Sequence, residues 1–486
     1  MKLLRNAVYN IGGYAAAMLL SLVSVPVMLS YMGEARYGIM VLIGLLSGFL
    51  VFFDFGLGQA IRYEIARRAS HQEQVEIFWT ATILSAALGI AGGVVVGLLC
   101  DIWLGSVVEM PEQVRIEAIQ TLPWIGTMIL IATLSGVFSG SLIGQEKFAS
   151  LNVGQTIGNI IATLLPILAV IFISPSLAYA VPAMALGRLV SLAILAVMAV
   201  ASLGAAARPS WHRAYIRPLL SYGGWTSAGS FGRQILGYVD RFLVGSVLGA
   251  AAAALYSVPV NLLQRGIMVP RAILEVVFPR IAKARPEEVE ELGIRALRTN
   301  IGIATVMSVV AVFAVVPVVS VWIDPDFASR IAGFGHLAAI SILTLAASKV
   351  PSMVLRATGR PRITATLLVA EVIPFLAIFY FVADRFGLAG AVLVVLARGL
   401  ADFALLSWFA SLLGKFTPVM LQALALCAVA YYAERGLEPD SIFGITMRLL
   451  IIVLTVAWAI WQSQDLRQLI VMLIERIRSA VLVKSV

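Results

Sequence analysis

A set of charged side chains falls inside stretches of sequence that are otherwise apolar. A charge at the centre of a membrane helix costs roughly 2.5–3.5 kcal/mol on insertion scales, so such a residue faces a cavity or a partner of opposite charge. Arginine is the commonest type among them, and its planar donor fork fits the oxygens of phosphate and carboxylate groups. These residues are Asp54, Arg188, Arg233, Asp240, Arg241, Arg265, Arg271, Glu275, Lys349, Glu371, Arg398 and Asp402.

The seventh and eighth apolar stretches hold most of these arginines. Arg233 and Asp240 are seven residues apart, so they share a helical face. Arg233 lies near the middle of its stretch, where it could bind an anionic group or pair with a neighbouring carboxylate. Asp240 and Arg241 lie nearer the outer end, where they could line a cavity or extend to the membrane surface. Arg265 is a further candidate for a cavity wall.

Arg188 and Arg398 occupy corresponding positions in the two halves of the chain. Arg398 lies one helical turn before Asp402, so an intrahelical ion pair is predicted for these two residues. Arg188 could pair with a neighbouring helix or line a cavity.

Four carboxylates are candidates for binding a proton or Na⁺. A carboxylate in apolar surroundings becomes harder to ionise and can therefore exchange protons near neutral pH. Asp54, Asp240, Glu371 and Glu275 meet this description. A salt bridge to an arginine is the alternative role for each of them.

The whole chain has the composition of a membrane protein. Of its 486 residues 60% are hydrophobic and 13% are charged, about half the share of roughly 25% in soluble proteins. Since about 20 apolar residues cross a bilayer, the sequence predicts an all-α polytopic membrane protein with about fourteen transmembrane helices. The predicted spans are 10–32, 39–60, 78–100, 121–143, 153–173, 178–203, 219–247, 251–278, 299–322, 332–355, 363–383, 388–412, 418–434 and 443–461.

Basic residues collect in alternate loops. With the N-terminus in the cytoplasm, the inner loops hold most of the lysines and arginines, while the outer loops hold single residues such as Arg36 and Arg330. This asymmetry predicts that both termini are cytoplasmic. Membrane topology therefore explains the net charge of +9, and nucleic-acid binding is not expected. The segment 464–484 has one apolar face, which predicts an amphipathic helix on the inner membrane surface.

The chain contains a weak internal repeat at a spacing of about 210 residues. The outer turn at Gly33 matches the turn at Gly249, and the inner turn at Gly144 matches the turn at Gly359. We therefore predict two six-helix lobes, 1–206 and 207–414. Residues 415–486 would add two further transmembrane helices and an amphipathic cytoplasmic tail.

An ordered set of motifs resembles the Wzx-type polysaccharide or O-antigen flippases. These form the polysaccharide transporter branch of the multidrug/oligosaccharidyl-lipid/polysaccharide exporter superfamily. The motifs are YMGEARYG at 31–38, FDFGLGQAIRYEIAR at 53–67, YVDRFLVGSVLG at 238–249 and LRATGRPR at 355–362. The resemblance covers essentially the whole chain.

This resemblance implies a transporter with a central cavity that opens alternately to each side of the bacterial inner membrane. The implied substrate is an oligosaccharide repeat unit on a polyprenyl pyrophosphate, moved from the inner to the outer leaflet for surface polysaccharide assembly. An anionic headgroup suits a cationic cavity. The candidate substrate-binding residues are Arg233, Arg241, Arg265, Arg188 and Arg62.

Two other functions stay open at this point. A drug or metabolite cation antiporter could share the fold, and a membrane glycosyltransferase or polymerase is a rival of another class. The sequence has no Walker loop, GxSxG or HExxH motif. Cys100 and Cys427 lie too far apart for a metal motif. We therefore expect that the protein is not an enzyme and that it binds no cofactor and no metal. The expected partners are membrane lipids, an H⁺ or Na⁺ counter-ion, and a polymerase or glycosyltransferase.

Overall fold

The computed structural model describes residues 2–49, 56–67, 70–204, 209–438 and 441–468. Side chains are described in these ranges except for 2–19, 21, 46–49, 225–235, 275, 276, 279 and 286. The described residues form helices and turns without strands, which confirms the all-α prediction. The α-helices are α1 (Lys2–Phe49), α2 (Leu57–Arg67), α3 (His71–Ile102), α4 (Glu112–Gln120), α5 (Leu122–Gly144), α6 (Phe148–Phe172), α7 (Leu177–Ser202), α8 (Arg213–Gly266), α9 (Met268–Lys283), α10 (Pro286–Trp322), α11 (Pro325–Ala357), α12 (Pro361–Ala370), α13 (Val372–Phe409), α14 (Leu413–Gly436) and α15 (Ile442–Gln462).

Three long helices are each broken by a glycine with positive φ. The breaks lie at Gly33 (φ 75°) in α1, Gly249 (φ 86°) in α8 and Gly387 (φ 60°) in α13. A side chain disfavours this left-handed region, and glycine enters it without strain. Each of these helices therefore contains parts of two successive predicted spans that meet at a tight turn.

These breaks bring the number of helical segments into agreement with the number of predicted spans. Among the described residues, ten helical segments are long and apolar enough to cross a membrane. Two of these segments, Leu236–Leu274 and Pro361–Phe409, contain the breaks at Gly249 and Gly387. Together with α1, which Gly33 divides, they accommodate the predicted set of about fourteen spans.

The chain forms two compact units, residues Met1–Ala254 and Leu255–Val486. In the first unit α3 packs on α5, and α6 packs on α7. In the second unit α10 packs on α11, α11 packs on α13, and α14 and α15 both pack on α10. The lobes 1–206 and 207–414 and the appendix 415–486 stay predictions. The tail falls largely outside the described residues, which end at 468.

Turns in the two halves of the chain have matching geometry. Gly33 (φ 75°, ψ 167°) and Gly249 (φ 86°, ψ 173°) share one backbone conformation. At the two turns predicted to lie on the inner side, the Lys147 N–H donates to the Leu142 carbonyl, and the Arg360 N–H donates to the Leu355 carbonyl, both at 2.8 Å. This bond is typical of a helix end with a left-handed residue. That residue is Glu146 (φ 59°) in one turn and Gly359 (φ 76°) in the other, so Glu146, rather than Gly144, is the structural equivalent of Gly359.

Candidate functional site

A cavity of about 850 Å³ lies within the first unit and is bounded by α1, α5, α6 and α7. This volume is in the range of about 300–1,000 Å³ that is usual for ligand pockets. Among the lining residues that the structure describes, Arg188 is the one with a charged side chain. Its polar neighbours in the wall are neutral: Ser24, Ser135, Ser139, Gln155, Asn159, Thr163 and Ser191.

Close packing between α6 and α7 holds Arg188 at the cavity wall. A Cβ atom on Gly158 would lie 2.0 Å from the Ser191 Oγ, and one on Gly187 would lie 2.5 Å from the Ala162 Cα. Small residues allow two helices to approach this closely. Because Arg188 directly follows Gly187, the position of its backbone is set by this contact.

Helix α6 presents a polar stripe to the same cavity. Gln155, Asn159 and Thr163 follow one another at four-residue intervals and all line the wall, as expected for one face of a helix. The Thr163 hydroxyl donates to the Asn159 carbonyl at 2.8 Å. On α5, the Ser135 hydroxyl donates to the Ile131 carbonyl at 2.7 Å. A hydroxyl that donates to its own helix keeps its oxygen as an acceptor, and each amide has donors and an acceptor.

The wall therefore combines one cation with neutral donors and acceptors. A guanidinium binds phosphate oxygens through paired hydrogen bonds. Amides and hydroxyls match the hydroxyl groups of a sugar. This combination can bind a ligand that carries an anionic group next to a polar, uncharged part.

An ion pair outside the membrane-spanning segments fixes the start of α7. Arg36 donates to both carboxylate oxygens of Glu117, from Nε at 2.8 Å and from Nη2 at 2.7 Å. Glu117 also accepts the backbone N–H of Leu177, the first residue of α7, at 3.0 Å. Burial alone would raise the pKa of the Glu117 carboxyl, but hydrogen bonds from Arg36, the Leu177 backbone and Ser176 hold this pKa below its usual value. The bond to Glu117 raises the pKa of Arg36. The pair thereby anchors the helix that carries Arg188.

The other predicted cations whose side chains are described do not line this cavity. Arg62 is exposed on α2, and Arg265 is partly buried in the last turn of α8. Arg241 is fully buried and pairs with Asp240 at 2.8 Å. It also donates to the Gly237 carbonyl at 3.0 Å. The structure therefore brings Arg188 alone, of the predicted cations with described side chains, into the cavity wall. Substrate-binding roles for the others stay predictions.

Three candidate residues lie outside the part of the chain whose side chains are described. Asp54 falls in the gap before residue 56. Arg233 in α8 and Glu275 in α9 have a described backbone only. Their predicted roles in headgroup binding and ion coupling therefore stay predictions.

A second group of charged residues lies in the second unit. The sequence predicts an ion pair between Arg398 and Asp402, but Arg398 lies 3.4 Å from Glu371. Asp402 is hydrogen-bonded to Glu371, and Lys349 on α11 interacts with both carboxylates. The Arg398 guanidinium also lies 4.9 Å from the ring centre of Phe375. We call Lys349, Glu371, Arg398 and Asp402 the charged cluster; it contains two cations and two carboxylates.

Sequence reasoning missed the neutral part of the cavity wall. Charged side chains stand out in an apolar stretch because the membrane makes them costly, whereas amides stand out less. The signal was nevertheless present, because Gln155 and Asn159 lie one helical turn apart within a predicted span. Buried polar groups in a membrane helix need partners or a cavity.

The chain is similar in sequence to known proteins. Residues 3–285 match the family described as polysaccharide biosynthesis protein. A Shigella flexneri protein named "Putative O-antigen transporter" is 24% identical over 410 residues, which are 84% of this chain and 97% of that protein.

Two solved structures share the fold. The lipid II flippase MurJ in an inward closed conformation has a TM-score of 0.75 at 14% identity, covering 95% of this chain and 100% of that one. An inward-facing multidrug resistance MATE family transporter of the MOP superfamily has a TM-score of 0.66 at 15% identity, covering 82% and 96%. The relatives are described as transporters or flippases rather than enzymes.

Proposed function

The chain belongs to the polysaccharide biosynthesis protein family, and from this premise we propose that it is a lipid-linked oligosaccharide flippase. The proposed substrate is a sugar repeat unit attached to a polyprenyl pyrophosphate. Transport runs from the inner to the outer leaflet of the bacterial inner membrane and supplies surface polysaccharide assembly. Both termini then lie in the cytoplasm, as the distribution of lysine and arginine favours.

The observation that carries this proposal is the cavity of the first unit. One arginine stands among neutral amides and hydroxyls in its described wall. A pyrophosphate-linked sugar has the matching chemistry, since an anionic group adjoins a chain of hydroxyls. A cation antiporter would instead need a carboxylate in this wall, and the described lining residues supply none.

The proposed mechanism divides the substrate between two environments. Arg188 binds the phosphate oxygens, while Gln155 and Asn159 exchange hydrogen bonds with the sugar. The polyprenyl chain stays in lipid, because moving its apolar surface into a polar cavity would be unfavourable. Alternate exposure of the cavity to the two sides completes transport. No covalent bond changes, so the protein acts as a transporter and not as an enzyme.

Glu371 is our proposed site for the counter-ion, an H⁺ or Na⁺. Of the four candidate carboxylates, Asp240 is paired with Arg241, and the side chains of Asp54 and Glu275 are not described. Glu371 lies against Asp402, and two carboxyl groups in contact favour a shared proton or a bound cation. We expect Glu371→Gln to bind substrate but to transport it without dependence on the ion gradient. A gradient-dependent Glu371→Gln transporter would contradict this assignment.

Analysis of lipid-linked sugars in a deletion strain tests the proposed function. Mass spectrometry should find complete repeat units on their polyprenyl carrier, accessible only from the cytoplasmic side. Truncated units would indicate a missing glycosyltransferase instead, and complete units exposed outside would indicate a missing polymerase. Either of these results would contradict the flippase proposal.

A further inference from the structure

A second cavity lies in the second unit, at one end of α10, α14 and α15. Its volume is about 420 Å³. Three of its lining residues are cationic: Arg298 of α10, Lys415 of α14, and Arg467, which follows the end of α15. We call it the basic end cavity.

Buried hydroxyl groups fix the elements that carry two of these cations. Thr299 and Ser463 are both buried, and their hydroxyl oxygens lie 2.8 Å apart. Thr299 also donates to Asp465 at 3.1 Å. The Leu466 N–H donates to the Ser463 hydroxyl at 3.2 Å. The chain is thereby held on α10 where α15 ends, and Arg467 is brought to the same cavity as Arg298.

Amide and indole groups complete the wall. The Gln422 amide oxygen accepts from the Gln462 amide at 2.6 Å and from the Trp458 indole at 3.0 Å. With its oxygen bonded in this way, Gln422 keeps its NH₂ group as a donor. Trp461 also lines the cavity, and its side chain is exposed. Tryptophan is enriched at the interface between membrane and water.

The charge of the cavity is only partly balanced. Lys415 pairs with Glu290 of α10. Asp465 is held by the Thr299 hydroxyl. Within the described part of the chain, no ion pair is formed by Arg298 or Arg467. The three cations therefore outnumber the nearby carboxylates of Glu290 and Asp465, and a net positive charge remains to attract an anion.

We propose that the basic end cavity binds the phosphate headgroup of an anionic phospholipid. Basic pockets between membrane helices at the cytoplasmic side suit such headgroups, because the cytoplasmic leaflet is rich in anionic lipids. Arg298, Lys415 and Arg467 all belong to the predicted cytoplasmic set of basic residues. The site is separate from the proposed substrate cavity, which lies in the other unit.

Phosphatidylglycerol binding to the full-length protein in detergent tests this assignment. The lipid should raise the Tm of the wild type, whereas phosphatidylcholine should not, because its headgroup is neutral overall. In Arg298→Gln/Arg467→Gln the apparent affinity for phosphatidylglycerol should fall about tenfold, since two charge-assisted hydrogen bonds are lost. Arg295→Gln is the matched control: Arg295 lies on α10 but pairs with Glu291 on an exposed face. It should bind like the wild type.

Three other results would contradict the lipid assignment. Wild-type affinity in the double variant would overturn the proposal, as would equal stabilisation by phosphatidylcholine. If inorganic phosphate reproduces the full effect, the site binds a free anion and the lipid assignment is wrong.

Size-exclusion elution and helical circular dichroism establish that the double variant is folded. Arg467→Gln alone provides a second variant, because Arg467 is exposed and lies beyond α15; it should weaken phosphatidylglycerol binding as well, and wild-type affinity would count against the site.

Discussion

The two units of this protein accommodate charge within apolar segments in different ways. In the first unit, Arg188 faces a cavity whose other described lining groups are neutral. In the second unit, the charged cluster gathers Lys349, Glu371, Arg398 and Asp402, so that cations and carboxylates balance one another. The first unit keeps balanced pairs too: Arg36 with Glu117 outside its membrane-spanning segments, and Asp240 with the fully buried Arg241 in α8.

This difference indicates which charges can bind a ligand and which charges stabilise the fold. With both carboxylates ionised, the cluster has no net charge and attracts an external anion weakly, and breaking any of its contacts leaves an uncompensated charge. A cation among neutral groups gives a positive potential that an anionic ligand can satisfy. We therefore expect substitution of Arg188 to affect transport first, and substitutions in the charged cluster to affect stability first.

Removing the cavity's cation should have the largest effect. Arg188→Gln should reduce export of surface polysaccharide at least about tenfold, because the headgroup loses a charge-assisted contact. Arg188→Lys keeps the charge without the planar fork and should retain part of the activity. Complementation of a deletion strain measures export, and immunoblotting of membranes measures protein level. Full export by Arg188→Gln would contradict a substrate-binding role for Arg188.

Opening the charged cluster should destabilise the second unit. Arg398→Gln leaves two carboxylates facing Lys349 alone and should cost roughly 3–5 kcal/mol of stability. The double variant Glu371→Gln/Arg398→Gln restores the charge balance and should recover a large part of that loss. Thermal unfolding in detergent of the single and double variants completes a double-mutant cycle. Additive losses would show that the two residues do not act as a pair.

Tight packing in the first unit can be tested without changing charge. In Gly158→Ala the new methyl group meets Ser191, so α7 must shift at a cost of roughly 1–3 kcal/mol. Export should fall together with Tm, because α7 carries Arg188. Gly97→Ala on α3 is the control, since nothing lies within 4 Å of its Cβ. Recovery of Tm and export in Gly158→Ala/Ser191→Gly would confirm the steric cause. Wild-type Tm and export in Gly158→Ala would exclude it.

The ion pair between Arg36 and Glu117 should give the smallest effect, and one that depends on pH. The folded protein holds the pKa of Glu117 below its usual value. The pair's contribution is therefore complete above the unfolded pKa of about 4.3 and is lost as pH falls through the lower folded value. We expect roughly 1 kcal/mol after solvent screening. When the pH is lowered from 6 to below the folded pKa of Glu117, the free energy of unfolding of the wild type should fall by this amount more than that of Glu117→Gln. Parallel curves of Tm against pH for the two proteins would contradict the assignment.

Much of the fold is predictable because the membrane imposes strict rules on sequence. Apolar length and the placement of basic residues predict the spans. Gly33 and Gly249, matched in sequence, adopt the same backbone conformation. The inner turns show the limit of such matching, since the left-handed residue is Glu146 in one turn and Gly359 in the other. Hydrogen bonding, not residue identity, defines that equivalence.

The site was less predictable because charge alone does not reveal which way a side chain faces. Arg188 and Arg241 are both arginines within apolar stretches, yet Arg188 lines a cavity and Arg241 is buried against Asp240. Sequence spacing likewise predicts Asp402 as a partner for Arg398, and packing brings Glu371, which lies 27 residues earlier, to 3.4 Å from Arg398. In both cases the packing of the folded chain, and not the charge of the residue, decides what the side chain contacts.

Binding of a short polyprenyl pyrophosphate to the purified protein tests the central claim most directly. Affinity should be measured for the wild type, Arg188→Gln and the charge-balanced control Glu371→Gln/Arg398→Gln. The cavity assignment predicts binding at least about tenfold weaker in Arg188→Gln and close to wild type in the control. Unchanged binding in Arg188→Gln, or a loss confined to the control, would contradict it.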